Sequence, residues 1–353
     1  MPLGKRAYPI FIGDDLLART GSFLKKKIHA KRIGIVTGGK VKKYYLEKCK
    51  SSIEKSGFAV SVISIPEGEK HKNLRTISAI YDSMVKANLD RGDAIVALGG
   101  GVTGDMAGFA SATYMRGIDF IQIPTTLLAQ VDSSVGGKTG IDHPGGKNLI
   151  GAFYQPKMVI CDYSAFSTLP EREFRCGMAE VIKYGIIKSP SLFSFLEKSV
   201  DSVRGMKKSE MERIIKESCS IKASIVSRDE REGGIRAFLN FGHTFGHGIE
   251  TALNFRKLNH GEAVAIGMVM AVKLSSLLGY SPSTLVDRVE KLLRLYGLPT
   301  APPRGLTAVN IWKGMSHDKK VVGGKKRFVL VNGLGKPFLK SDLKYNDVKS
   351  VME

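Results

Sequence analysis

The chain has 353 residues, of which 54 are Lys or Arg and 33 are Asp or Glu, giving a formal charge of +21 at neutral pH. Hydrophobic residues at 43% and charged residues at 25% are ordinary globular values; they exclude an intrinsically disordered chain, and the length suggests two domains. The longest apolar run, residues 263–272, falls far short of the ~20 residues that span a bilayer, no signal peptide is visible, and Cys49, Cys161, Cys176 and Cys219 lie far apart without CxxC pairs, as reduced thiols of a cytoplasmic protein would.

The positive excess asks for an anionic partner, which could be nucleic acid or a phosphorylated or carboxylated metabolite. Lysine pairs and triples at 25–27, 42–43, 207–208 and 325–327 are scattered along the whole chain. They are not gathered into one arm or interleaved with aromatics, as a tract for single strands would be. A generally basic, solvated surface is the expectation, with neither nucleic acid nor membrane as partner.

Residues 32–37 form a β-branched strand ending in Gly38-Gly39, and residues 60–65 form a second strand closed by Pro66. Leu74, Ile77, Ile80 and Met84 then recur at helical spacing over 73–87. A third strand at 94–98 runs into Gly99-Gly100-Gly101, and a fourth at 120–123 stops at Pro124. Strands alternating with helices predict a parallel sheet covered on both faces. From about Pro170 helical periodicity dominates, over 175–187, 210–226, 244–254, 262–278 and 283–296, with one strand at 327–331. The expected organisation is an N-terminal α/β domain, residues 1–166, and a mainly α-helical domain, residues 167–353.

Gly99-Gly100-Gly101-Val102-Thr103-Gly104 satisfies GxGxxG between a strand and a helix expected from Asp105 onward. Glycine lets the backbone approach a pyrophosphate, and a helix N-terminus offers free N–H groups and a positive dipole. A tight strand-to-helix turn selects the same residues, so the pattern alone is weak. It follows the third predicted strand rather than the first, and no acidic residue closes the next strand, so a dinucleotide site here departs from the ordinary Rossmann arrangement. Gly136-Gly137-Lys138-Thr139 imitates the end of a P-loop, but Asp132 occupies the place of its first glycine, which excludes a nucleotide triphosphatase. Two glycine loops nonetheless deliver Lys138 and Lys147, the latter beside Asn148. Such loops suit phosphate or carboxylate capture, although ordinary surface turns have the same composition.

Gly242-His243-Thr244-Phe245-Gly246-His247 places two histidines four apart on one helical face, and His260 follows. Three of the seven histidines thus fall within eighteen residues, alongside Glu250 and Glu262. Catalytic sites for zinc-type ions use three protein ligands and keep a position open. A lone buried histidine is commonly structural; a cluster flanked by glycines favours a metal. Glu180 stands on the otherwise apolar side of a helix, where burial without compensation costs several kcal/mol, so it calls for a cation.

Taken together, residues 99–109, 114–117, 124–140, 145–153, 177–184, 239–250 and 260–267 resemble the 3-dehydroquinate synthase family, with matches spread from about residue 66 to 330. The resemblance implies an α/β N-terminal Rossmann-like domain plus an α-helical C-terminal domain, a cleft between them, a homodimer, NAD as cofactor and one divalent metal, zinc or cobalt. It implies Glu180, His243 and His260 as metal ligands, with His247 on the substrate side. Arg116, Asp132, Lys138, Lys147, Asn148, Lys183, Lys222, Arg236 and Asn240 would line the substrate pocket, joined by Lys319 or Lys320. Among these, Arg116, Lys138, Asn148, Lys183 and His247 are the catalytic candidates. Glu69 and Lys72 match the adenosine side of NAD. Gly100, Gly101, Asp105, Thr125 and Thr126 match the pyrophosphate and nicotinamide side, with Asp132, Lys138 and Lys147 also within reach of the cofactor. One departure stands out: where the family carries an Asp-x-Asn pair after the first strand, this chain has Gly38-Gly39-Lys40, without the acidic partner for the adenosine ribose.

The reaction implied converts 3-deoxy-D-arabino-heptulosonate 7-phosphate to 3-dehydroquinate. A hydroxyl polarised by the metal is oxidised by NAD, phosphate leaves by β-elimination with its own oxygen able to act as base, hydride returns, and ring opening precedes an intramolecular aldol closure. A substrate bearing both phosphate and carboxylate also accounts for the cationic excess. Lys138, Lys147, Asn148 and Arg116 would hold the phosphate end, and His247 would relay protons. The rivals are another sugar phosphate cyclase, a metal-dependent alcohol dehydrogenase of the glycerol dehydrogenase type, and a basic nucleic-acid-binding module.

Overall fold

Short β-branched runs between helices can satisfy their backbone groups and bury both faces only by pairing in parallel, and the first of two units is organised around such a sheet. The computed structural model describes residues 1–315 and 326–353. One unit comprises Met1–Pro170 and Met211–Ser227, the other Glu171–Glu210 and Arg228–Glu353.

In the first unit, β1 (Ile10–Gly13), α1 (Thr20–Lys25), β2 (Arg32–Gly38), α2 (Gly39–Lys55), β3 (Ala59–Ile65), α3 (Leu74–Lys86), β4 (Ala94–Gly99), α4 (Gly101–Thr113), β5 (Asp119–Pro124), β6 (Lys138–His143), β7 (Gly146–Phe153) and β8 (Met158–Asp162) follow in order. Six of the strands form one parallel sheet in the order β1-β8-β5-β4-β2-β3. Alternate residues of each strand feed two cores. Ile33, Ile35, Val96 and Leu98 pack with Leu46, Cys49 and Ile53 of α2 on one face. Val36, Ile95 and Ala97 pack with Ile77, Ile80 and Met84 of α3 and Met106, Ala107 and Ala110 of α4 on the other.

The order of the strands explains the odd position of the glycine motif. From β2 the chain steps to β3 on one side, then crosses to β4 on the other. At such a reversal the connections diverge and leave a crevice beyond the carboxyl ends of the strands. Gly38-Gly39 ends β2 and Gly99-Gly100-Gly101 ends β4, so both glycine segments stand at the switch point. The helix after the motif begins at Gly101, earlier than the expected Asp105, because glycine at this turn tolerates the immediate entry.

The segments around Lys138 and Lys147 are not two surface loops. They form an antiparallel hairpin, β6 against β7, with an irregularity between Ile141 and His143. Its glycines let the strands close up: a Cβ on Gly140 would lie 2.5 Å from the Ile150 carbonyl oxygen.

The second unit contains α5 (Glu171–Ile187), α6 (Pro190–Lys198), α7 (Val200–Arg204), the start of α8 (Lys208–Val226), α9 (His243–Ala252), α10 (His260–Leu277), α11 (Ser283–Leu295), α12 (Ala308–Met315), the antiparallel hairpin of β9 (Phe328–Val331) and β10 (Pro337–Lys340), and α13 (Tyr345–Met352). Most of α8, from Met211, belongs with the first unit. The long apolar run lies in α10, buried on every side from Ala263 to Val272, so it is a core helix. Among the described residues, no helix is long and apolar enough to cross a membrane.

Gly108 seats α4 between sheet and hairpin: an added Cβ would lie 2.9 Å from the Phe120 ring and closer still to Thr139. Gly108→Ala is expected to lower stability by about 1–3 kcal/mol, less the helical preference of alanine, up to about 1 kcal/mol; urea unfolding of the purified variant reads the difference.

Candidate functional site

In the second unit the only acid on the buried face of α5 meets two histidines from other helices. Glu180 is fully buried, and among the described residues its Oε1 accepts no hydrogen bond. His243 is the first residue of α9 and His260 the first of α10. Their Nε2 atoms lie 3.5 and 3.8 Å from Glu180 Oε1, and one ligand atom from each of the three residues lies within 4.8 Å of the others. Lys183, one turn along α5, pairs with the other oxygen, Oε2, and its ammonium stands 5.1 Å from the Tyr184 ring centroid. His247 is the next turn of α9, its ring 5.7 Å from His243 and 6.2 Å from His260.

Local sequence fixes each of these side chains. Asn259 and Glu262 form a capping box at the start of α10, and Arg172 grips Glu262 through two nitrogens at 2.9 and 2.7 Å. Burial works to raise the Glu262 carboxyl, but the hydrogen bonds from Arg172 and the Asn259 amide hold it below the ordinary carboxylate value. Glu262 is therefore a structural anchor of the helix that carries His260. Gly261 lies flush on α5: its N–H donates to Cys176 Sγ at 3.1 Å, and an added Cβ would collide with the Cys176 carbonyl. Gly242, at φ +79°, bends the chain into α9 where a Cβ would stand 2.6 Å from Met268. Burial pushes the Cys176 thiol up to about 12, so it stays protonated and offers no thiolate beside the imidazoles.

The donor set fits a divalent cation. The Nδ1–H of His243 donates to the Phe241 carbonyl at 3.2 Å, which leaves the Nε2 lone pair of the neutral ring facing Glu180. One unpaired carboxylate oxygen and imidazole nitrogens crowded together repel unless a cation stands among them.

In the first unit the glycine turn presents the N-terminus of α4 without any side-chain cap. Thr125 donates its N–H to the Gly99 carbonyl at 3.0 Å, and Thr126 sits 3.2 Å from where a Gly100 Cβ would be. The hydroxyls of Thr125 and Ser133 are buried without a hydrogen-bond partner among the described residues, and Ser133 Oγ lies 3.0 Å from the Cβ position of Gly101. Unsatisfied hydroxyls beside free helix N–H groups make a cradle suited to a pyrophosphate. Gly104 seats α4 against β5, 2.7 Å from Gln122 Oε1 by its Cβ position. Lys72 reaches Asp105 Oδ2 at 2.7 Å and Asn148 Oδ1 at 2.6 Å, bringing two expected cofactor residues onto one expected substrate residue. Burial pulls the Lys72 ammonium down, but the charges of Asp105 and Glu69 outweigh it and raise its pKa.

Sequence reasoning missed Glu67. The acid absent after β2 is matched by one arriving from the loop after β3: Glu67 Oε1 accepts the Lys40 N–H at 2.7 Å, and any side chain at Gly39, φ +50°, would fall on the Glu67 carboxyl. The available signal was the glycine pair itself, which leaves room for a foreign side chain. Ser133 was missed as well, being a common residue in an irregular turn.

The remaining candidates divide between the units. Lys222 of α8 donates to the Asp132 carbonyl and to its Oδ1, each at 2.7 Å. Lys147 stands 3.8 Å from Glu69. Arg116 is exposed on a turn where it and Met115 have φ of +66° and +48°, and Lys138 opens β6. In the second unit Arg236 is buried and donates to the Glu230 carbonyl, while Asn240 donates to Glu232 at 2.7 Å. Lys319 and Lys320 lie outside the described residues.

A parallel sheet with a glycine turn at its switch point, and a helical unit with a Glu–His–His cluster, define a class of two-unit enzyme architecture. Residues 62–176 match the model of the 3-dehydroquinate synthase N-terminal region, and residues 177–321 that of the C-terminal region. A 3-dehydroquinate synthase of Desulforamulus reducens is 47% identical over 350 residues, covering 99% of this chain and 98% of that protein. The chain belongs to the 3-dehydroquinate synthase family. Among solved structures, 2-deoxy-scyllo-inosose synthase complexed with carbaglucose-6-phosphate, NAD+ and Co2+ aligns with TM-score 0.88 and 28% identity, covering 97% of this chain and 95% of that one. The 2-epi-5-epi-valiolone synthase of Streptomyces hygroscopicus subsp. jinggangensis 5008, with NAD+ and Zn2+ bound, aligns with TM-score 0.90 and 25% identity, covering 98% and 96%.

Because Gly261 meets Cys176 backbone to backbone, Gly261→Ala is expected to cost about 1–3 kcal/mol and to weaken zinc binding, by moving His260 away from Glu180. Thermal unfolding and chelator competition on the same variant check both; unaltered zinc affinity would break the link.

Proposed function

We propose that this protein is a 3-dehydroquinate synthase, converting 3-deoxy-D-arabino-heptulosonate 7-phosphate to 3-dehydroquinate and phosphate. The observation that carries the reading is the meeting of Glu180, His243 and His260 in a member of that family. When bound, NAD supplies a reversible hydride acceptor, and a divalent ion, zinc or cobalt, supplies a Lewis acid for the substrate hydroxyls.

Glu180, His243 and His260 hold the ion, and Lys183 pairs with the other Glu180 oxygen in its buried position. Gly100, Gly101, Asp105, Thr125 and Thr126 hold the pyrophosphate and nicotinamide side of NAD, with Ser133 as a further donor. Glu69 and Lys72 hold the adenosine side, and Glu67 accepts the ribose hydroxyl hydrogen bond that an acid after β2 would otherwise take. Arg116, Lys138, Lys147 and Asn148 bind the phosphate as it leaves, the three cations offsetting the charge that develops on its oxygens and the Asn148 amide able to donate a hydrogen bond to them. Asp132, Lys222, Arg236 and Asn240 orient the rest of the substrate, together with one of Lys319 and Lys320. His247 carries protons to and from the substrate oxygens. A substrate with a phosphate and a carboxylate suits the net charge of +21 by raising its local concentration.

On this reading residues 1–166 form the NAD-binding domain and residues 167–353 carry the metal and most substrate contacts, with Lys222 contributed by the part of α8 that packs with the first unit. The enzyme works as a homodimer in the cytoplasm. Family membership weighs against a different sugar phosphate cyclase or an alcohol dehydrogenase.

The deciding assay supplies the heptulosonate phosphate, zinc and catalytic NAD, and follows phosphate and dehydroquinate together. Phosphate release matching dehydroquinate without accumulation of NADH is the expected result; stoichiometric NADH would point to a dehydrogenase. His243→Ala should lose turnover and metal retention together. Glu67→Ala should raise the KM for NAD about 10–100-fold, the loss of a hydrogen bond to a charged group, with kcat little changed. A purely structural helix cap would instead lower stability and leave that KM where it was.

A further inference from the structure

Glu250 is a buried acid for which the proposed chemistry has no use. It lies on α9 two turns after His243, on the face that also carries His247. Its Oε1 stands 3.6 Å from Nδ1 of His260, while Nε2 of the same ring stands 3.8 Å from Glu180 Oε1. One imidazole is thus flanked by a carboxylate on each nitrogen. We infer that Glu250 is a positioning residue: it takes the Nδ1–H of His260 and so commits the Nε2 lone pair to the ion held with Glu180 and His243. The inference rests on the metal-site reading above and adds a residue to it.

The two histidines support the assignment by their parallel construction. His243 is fixed from behind by the Phe241 carbonyl, which can only accept and therefore requires a proton on Nδ1. Behind His260, at Nδ1, stands the Glu250 carboxylate. A neutral imidazole carries one proton, and a ring that gives its Nε2 lone pair to an ion must keep that proton on Nδ1, the nitrogen that faces Glu250. Both separations exceed a hydrogen bond, so His260, whose side chain is about a third exposed, has room to turn toward either acid. Removing Glu250 removes the preference. A carboxylate behind a ligating imidazole also makes it a stronger donor, and the loss of such a partner typically weakens metal binding 10–100-fold.

His247, Glu250 and His260 also bring ligand atoms within 4.8 Å of one another, so Glu250 could instead be a ligand itself. Burial does not separate the two sets, each a buried acid with two half-buried histidines; what favours Glu180 as the ligand is its Oε1, fully buried and accepting no hydrogen bond among the described residues.

The test uses the full chain, stripped of metal, as wild type, Glu250→Gln, Glu250→Leu and Glu180→Gln. Zinc affinity is measured by competition with a chromophoric chelator, and the ring tautomer of His260 by long-range proton–nitrogen spectra of the metal-free protein above the histidine titration. Wild type is expected to bind one ion with His260 protonated on Nδ1. Glu250→Leu should weaken zinc 10–100-fold, keep one site, and show a mixed tautomer. Glu250→Gln, whose amide oxygen can still accept and whose shape preserves the packing, should show the smaller loss and the wild-type tautomer. Unchanged zinc affinity and tautomer in both variants would overturn the inference, as would a loss as complete as in Glu180→Gln, which would make Glu250 a ligand. A wild-type chain that binds no zinc would overturn the metal reading instead.

Discussion

The burial of the Glu180 carboxylate is the constraint around which the helical unit is arranged. An acid at the centre of an apolar helix face costs several kcal/mol unless it is compensated, and here compensation comes unevenly. Lys183 answers one oxygen from the same helix, while the other faces imidazole nitrogens delivered by two different helices. Every unusual local feature nearby serves that delivery. Gly242 turns the chain into α9, Gly261 lets α10 touch α5, and the Asn259–Glu262 capping box fixes where α10 begins. His243 and His260 each occupy the first position of a helix, so a one-residue shift in either helix start would swing a ligand by about 100° around its axis.

The glycine turn of the first unit obeys a different economy. What it offers an anion is backbone N–H groups and hydroxyls without partners among the described residues, so it needs absence of side chains more than presence of them. The same logic reaches Gly38-Gly39. Space at the end of β2 admits either a side chain on residue 39 or the Glu67 carboxyl, and not both, because they would occupy one volume. An acid can therefore reach the end of β2 from either of two adjacent strands, and a chain that takes it from β3 must keep glycine at 39. The missing acidic residue and the conspicuous glycine pair are then one fact seen twice.

Much of this was legible beforehand, and the limits have physical causes. The buried parallel strands 94–98 and 120–123 and the helices α5, α9, α10 and α11 announce themselves by β-branched runs and 3.6-residue periodicity, signals that local composition carries directly; the shorter α6, α7, α12 and α13 do not. The histidine spacing is equally local. The β6–β7 hairpin was hidden because its glycines read as loop, although they are there to let two strands approach. The true extent of the first unit was hidden because α8 is joined to it by packing rather than by sequence proximity. Glu67 and Ser133 were invisible for a related reason: each matters through what lies opposite it in space, and neither belongs to a pattern along the chain.

Some violations of local rules fall among the residues discussed above, where function can override stability. Glu180 on an apolar face, Thr125 and Ser133 hydroxyls without a partner among the described residues, and left-handed Met115, Arg116 and Asn148 all weaken the fold taken alone. The rest of each unit compensates by conventional means: α10 is apolar on all sides, and β4 and β8 are buried on both faces. A rigid, self-sufficient core next to an uncompensated polar cluster allows the cluster to remain pre-organised for a cation without collapsing onto itself. Lys183 is the telling case. It is close enough to neutralise Glu180 fully, yet it engages only Oε2 and leaves Oε1 to the imidazoles. That division keeps one oxygen pointed where a divalent ion would stand.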